Sequence, residues 1–170
     1  MEKKYELLKD DSIKVYGCIL YRIKALRNFS DVKKGELGGY IEKEKNLSQD
    51  GNCWVYNDAI VYQGAQLHDN AVVKDYARVG RFSRVYDNSI IDESARVSQS
   101  VITHNAHISD ASNVRNSEIG GNAKILNEAS ISGCADIRGN TIVCDYAEIL
   151  GNVKLNGNTK ISGTSQICIK

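Results

Sequence analysis

The sequence predicts an all-β chain: a parallel β-helix with triangular coils over residues 47–170, covered at its N-terminal end by a small β cap over residues 1–46. Three observations predict it. From Cys53 onward, a small residue followed two positions later by an aliphatic one returns every six residues. An Asn returns at every third repeat. Residues 1–46 follow neither rule.

The small position, a, runs Cys53, Ala59, Ala65, Ala71, Ala77, Ser83, and its partner c runs Val55, Val61, Leu67, Val73, Val79, Val85. Two steps shorten to five residues, 95 to 100 and 112 to 117, and every c position through Ile167 is Val, Ile or Leu. A helix cannot keep one face apolar at period six. A short strand can, because a and c point the same way and the residue between them, b, points opposite. Each repeat is therefore a strand of three or four residues and a turn, the pattern of a β-solenoid.

Asn precedes the a position at 52, 70, 88, 105, 122, 140 and 158, which fixes three repeats per coil. The prism then has nearly seven coils and a length of roughly 30 Å. Asn suits a corner because it tolerates left-handed backbone angles, and its amide can bond to the Asn of the next coil. The column of aliphatic c residues and coil-to-coil backbone bonds are expected to supply most of the stability.

Composition fits a core of small and aliphatic groups: 42% of the 170 residues are hydrophobic but only 7% are aromatic. A net charge of +1 from 22 basic and 21 acidic residues gives no global case for nucleic acid or an anionic membrane. There is no Pro, so glycines supply the turns. The opening MEKKYELLKDD lacks the apolar run of a signal peptide, and no window is apolar enough to span a membrane. Cys18, Cys53, Cys134, Cys144 and Cys168 form no CxxC pair or zinc spacing. They read as reduced thiols of a cytoplasmic protein, with Cys144 and Cys168 pointing outward; no metal and no cofactor is expected.

Before the repeat, residues 5–8 and 13–25 alternate like strands, with Ile19, Tyr21, Ile23 and Ala25 on one face. Lys33-Lys34-Gly35 and Gly38-Gly39 are read as turns. The cap is needed because a first coil presents a raw strand edge and a naked core. At the far end the repeat runs into Ile167-Cys168-Ile169-Lys170. That edge is expected to be short enough to tolerate or to be covered by another chain.

These hexads resemble the left-handed β-helix proteins of the hexapeptide-repeat class over about residues 47–170. The leader LYRIKALRNFSDVKKGELGGYIEKEKNLSQDGNCWVY is similar to a narrower group of bacterial and prophage proteins, the YdcK-like proteins, loosely called acetyltransferases on the basis of fold. The resemblance implies the left hand. It also implies, as an alternative function, an acyl-CoA-dependent acetyltransferase in which a His between the subunits of a trimer takes a proton from the acceptor. The candidates are His68, His104 and His107. Against that activity, no step of the prism is lengthened into the acceptor loop of such enzymes, and their Gly-rich C-terminal signature is missing. No carboxylate has a recognisable spacing to orient a His. The three histidines are therefore read as exposed corner residues, and no catalytic residue is assigned.

The informative positions point outward. Trp54, Val72 and Ile90 stack as consecutive b residues beside Tyr56, an apolar column expected to lie under the cap or to form a homo-oligomer interface in a dimer or trimer. Arg78 and Arg96 stack as consecutive b residues, with Arg115 one coil on. Arg81 and Arg84 straddle the adjacent corner beside Phe82 and Tyr86. Guanidinium groups among aromatics can hold phosphate, carboxylate or an acidic protein surface. The competing reading is a solvated, salt-bridged face, with Asp87, Asp92 and Glu93 close enough to neutralise part of the patch. The stripe is too short for nucleic acid to be the expected partner.

The function that follows is a non-enzymatic β-helical scaffold that self-associates and binds a protein partner through an outer face. The prophage likeness implies an accessory role, including interference with a host defence protein. Sequestration of a small anionic ligand or nucleotide is a further alternative.

Overall fold

In a computed structural model, which describes residues 2–169, the chain is a left-handed parallel β-helix of about seven turns. It has three flat faces. The first is seven-stranded and runs from Trp54–Val55 to Lys160–Ile161. The second is ten-stranded and includes Ile60–Val61, Arg78–Gly80, Arg96–Ser98 and Asn113–Arg115. The third is six-stranded and runs from Gln66–Leu67 to Lys154–Leu155. Successive coils pair in register, b on b and c on c, as in Val72↔Ile90 and Val73↔Ile91, then Ile91↔Ile108. The c residues from Val55 to Ile149 are buried and fill the prism. Those of the last coil, Leu155, Ile161 and Ile167, are only half-buried.

The corners explain residues that the periodicity alone left as merely small. Ser83, Ser89, Ser112 and Thr141 occupy a positions, and each hydroxyl donates to the carbonyl three residues back, at 2.6–2.7 Å. After the two shortened steps, Ser100 and Ser117 donate instead to the carbonyl two residues back, at 2.8 and 2.9 Å. The hydroxyl adds a hydrogen bond to the corner that Ala at the same position does not make.

The Asn ladder forms: Asn52, Asn70, Asn88, Asn105, Asn122, Asn140 and Asn158 link amide to amide at 2.8–3.3 Å. The expected reason is half corrected. The left-handed angle belongs to the residue before each Asn: Asp69, Asp87, His104, Gly121, Gly139 and Gly157 have positive φ, and the ladder Asn do not. Asn is selected for the stack, and its predecessor bears the backbone strain.

Strands β1 (Tyr5–Val15) and β2 (Cys18–Ala25) form an antiparallel hairpin that turns at Tyr16-Gly17, and β3 (Leu37–Ile41) pairs antiparallel with β2. β3 also pairs parallel with Ile60–Val61, so the coil-to-coil ladder begins before the readable repeat. Lys33-Lys34-Gly35 does form a turn. Gly38 and Gly39 do not: they lie inside β3, buried against the first coil. A Cβ on Gly38 would come within 2.6 Å of Ile23 and 2.8 Å of Trp54. Glycine here permits close approach rather than a bend.

β2 also differs from the one-faced strand expected. Ile23 and Ala25 are buried, but Ile19 on the same face is 52% exposed. Leu20, on the opposite face, is fully buried with Tyr40, Ile60 and Tyr62. The hairpin therefore buries both faces, one at the end of the core and one on the outside of the ten-stranded face. A single period-2 pattern cannot encode that arrangement.

Lys4 is wholly buried where this hairpin meets the first coil. Its ammonium donates to the carbonyls of Asp50, Gly51 and Cys53 at 3.0–3.4 Å. Burial lowers its pKa, against the nearby Cys53 thiol, which raises it. The carbonyl cage replaces the water that the charge gives up.

Candidate functional site

Two outer surfaces carry side chains beyond those that fill the prism. The first lies on the seven-stranded face. Trp54, Val72 and Ile90 stack in register as predicted. Trp54 is fully buried, with Phe29 and Tyr5 edge-on to its indole at centroid distances of 5.2 and 6.1 Å. So the N-terminal segment covers the first member of the column. Val72 and Ile90 remain half-buried on the floor of a groove of about 620 Å³, with Tyr56, Asp31 and Lys74 on its walls. The Tyr56 hydroxyl donates to Asp31 at 2.7 Å, and burial together with that carboxylate pushes the phenol upward.

Beyond Ile90 the groove meets a cluster that the sequence reading missed. His107 follows Ile90 in the same outward column. Its Nε2 lies 2.9 Å from Asp92 Oδ1, and Lys74 Nζ lies 3.5 Å from the other Asp92 oxygen. Burial favours the neutral acid at Asp92, but hydrogen bonds from Ser109 and His107 and the charge of Lys74 outweigh it, so the pKa is lowered. No recognisable sequence spacing marks a carboxylate partner for a His, yet the fold supplies one to His107. The signal was absent from local spacing because Asp92 and His107 are fifteen residues apart and meet only across coils. A carboxylate two residues after a b position, one coil below the His, is what would have revealed it.

The other histidines stand apart. His68 stacks on Tyr86 at 5.3 Å on the third face. His104 sits on an exposed corner with positive φ, its Nδ1 2.9 Å from Thr103 Oγ1. Neither lines the groove that holds Val72 and Ile90.

The second surface is the arginine patch. Arg78 and Arg96 are register neighbours on the ten-stranded face, and Arg115 follows opposite Ser98. Arg81 sits on the adjacent corner and Arg84 on the third face beyond it. Among the described residues, no carboxylate oxygen lies within 4.0 Å of any of these five guanidinium groups. The competing expectation that Asp87, Asp92 and Glu93 neutralise part of the patch is corrected. Asp87 accepts from the His104 backbone amide at 2.8 Å, and Asp92 is held by His107 and Lys74. Glu93 sits at the corner between the first two faces and forms no ion pair among the described residues.

The hairpin tip adds the aromatic wall. Tyr16 stacks on Tyr62 with centroids 6.0 Å apart, and its hydroxyl accepts from Arg78 Nη1 at 3.3 Å. A Cβ on Gly80 would lie 2.9 Å from the Tyr62 ring, so that glycine makes room for the stack. Arg78, Arg81, Arg96, Tyr16 and Tyr62 line one groove of about 470 Å³. Arg84, Tyr86 and Arg115 lie outside it. Beside it, Phe82 is 79% exposed on a corner where both Arg81 and Phe82 have positive φ. Such backbone is costly for a bulky residue, and it presents both side chains to solvent.

Of the cysteines read as outward, Cys168 is exposed, but Cys144 is only 7% exposed. Among the described residues no cluster of His, Cys, Asp or Glu is placed to hold a metal ion, and no helix is long and apolar enough to cross a membrane.

The sequence resembles known proteins. A 53-residue stretch, 31% of this chain, is 43% identical to the Escherichia coli K12 protein described as "Uncharacterized acetyltransferase YdcK", and covers 16% of that protein's length. Residues 52–167, nearly the whole repeat region, match the family described as the GMPPB C-terminal domain. With its in-register hexads, three-sided coils and a match spanning most of its length, the chain belongs to the GMPPB C-terminal domain family of hexapeptide-repeat β-helix proteins.

Proposed function

We propose that the protein is a non-catalytic binding scaffold that takes an acidic partner on the corner between its second and third faces. The observation that carries this reading is the set of five arginines lacking a carboxylate partner. In a chain with nearly equal numbers of acids and bases, that local imbalance is not compositional. Exposed Phe82 and Tyr16 flank the guanidiniums and supply apolar contact area. Arginine with aromatics is the composition of protein-binding hot spots.

The test is binding of a fluorescent poly-glutamate peptide, followed by anisotropy between about 50 and 200 mM salt. Binding should weaken as salt rises and disappear in the Arg84→Glu/Arg115→Glu variant. No binding at the lower salt, or undiminished binding by that variant, sinks the proposal. So does a preference for a single-stranded oligonucleotide over the peptide.

A second reading rests on the Asp92–His107 pair and on the name of the Escherichia coli relative. In it His107, oriented by Asp92, takes a proton from an amine or hydroxyl as that group attacks an acyl thioester; the C–S bond breaks and the thiolate leaves, taking up that proton. Acetyl-CoA should then raise the melting temperature, and His107→Ala should abolish acetyl transfer without lowering the melting temperature. An unchanged melting curve at millimolar acetyl-CoA removes this reading.

A further inference from the structure

We propose that the groove beneath the hairpin tip is a built site for a ligand carrying two or more linked phosphoryl groups. The inference deepens the anion-binding reading above and rests on it. Arg78 and Arg96 face each other across adjacent parallel strands, about 4.8 Å apart along the stack. Like charges placed directly opposite in a sheet repel, and Arg81 adds a third in the same groove. No acidic side chain lines it. The remaining walls offer further hydrogen-bond donors, the Gln63 and Asn113 amides and the Ser98 hydroxyl. The solenoid itself needs none of these groups, since its outward b positions elsewhere carry Ser130, Glu148 and Gln166 on the same face.

Three guanidinium forks call for a ligand with several oxygens and a charge of at least minus two. Arginine matches phosphate oxygens two at a time, and linked phosphates present oxygens at a spacing that adjacent strands can follow. The cavity, at about 470 Å³, lies within the usual range for small-molecule sites. Tyr16 is 66% exposed while its other side rests on Tyr62, so it offers a free ring face at one end. A planar ring attached to the phosphates could stack there, and the experiment distinguishes that source from free pyrophosphate.

The predicted signature has two parts, because the ligand relieves a repulsion already present in the free protein. In thermal unfolding at fixed ionic strength, millimolar pyrophosphate should raise the melting temperature of the full chain, whereas equal sulfate should do so much less. Arg78→Gln/Arg96→Gln should melt at or above wild type without ligand and should show no pyrophosphate shift. Ser98→Asp places a carboxylate among the arginines; it should likewise stabilise the free protein and block the shift, which covers the case in which the double variant folds poorly. A larger shift with ADP than with pyrophosphate, reduced by Tyr16→Ala, assigns the ligand as a ring-bearing ester; equal shifts assign it as an inorganic oligophosphate. No shift with either probe, or a shift retained in the glutamine variant, overturns the proposal. If poly-glutamate still binds in that case, only this inference fails; if nothing anionic binds, the scaffold reading fails with it.

Discussion

Trp54→Ala is expected to destabilise the protein by about 3–5 kcal/mol, the usual cost of truncating a buried large aromatic. At this chain length, that lowers the melting temperature on the order of 10 °C. Trp54 is fully buried although its side chain points away from the prism's interior. Phe29, Tyr5 and Ile23 enclose it, and β3 passes over it at Gly38. Removing the indole would leave a cavity between two rigid layers, the first coil and the hairpin, neither of which can collapse far. Among the described residues the indole Nε1 has no hydrogen-bond partner, so Trp54→Phe gives up packing volume but no bond. That variant should cost well under half as much. Urea unfolding followed by far-UV circular dichroism measures both. A loss below about 1 kcal/mol for Trp54→Ala would mean that the N-terminal segment does not hold the first coil closed.

The solenoid was legible because its physics is local and repeated. Each c residue meets the same surroundings, so one rule read from Val55 applies through Ile149. Contacts that occur once were not legible. Asp92 and His107 belong to different coils, and nothing in either hexad marks the other. The arginines were visible as a cluster, but their lack of acid partners was not, because Asp87 and Asp92 look available until their bonds to His104 and His107 are seen. The hairpin was the hardest. Both sides of β2 carry buried residues, so an alternation that groups Ile23 with Ala25 says nothing of Leu20 on the other side. Tyr16 enters the arginine groove only because the hairpin tip reaches it, sixty-two residues before Arg78 in the chain. Repetition encodes the scaffold, whereas the candidate sites come from its exceptions.

Gly39→Val tests the largest of those exceptions and is expected to cost about 3 kcal/mol or more. A Cβ at Gly39 would fall 2.7 Å from Val55 Cγ1 and closer still to the Ala59 carbonyl oxygen. That oxygen accepts the Tyr40 amide at 3.0 Å, so it cannot retreat without breaking the ladder that joins β3 to Ile60–Val61. Gly35 provides the contrast. Its φ of +91° penalises any side chain, but nothing lies within 4 Å of a Cβ there. Gly35→Ala should therefore cost only about 1 kcal/mol, through its backbone alone. Steric conflict with immovable backbone should outweigh dihedral strain in open solvent. In Gly39→Val, limited proteolysis should cut within residues 2–38 while the later coils resist, because only the docking of β3 is lost. Wild-type protease resistance in Gly39→Val would show that β3 can seat without close contact, and that the two adjacent glycines are incidental to the way the hairpin reaches the arginine groove.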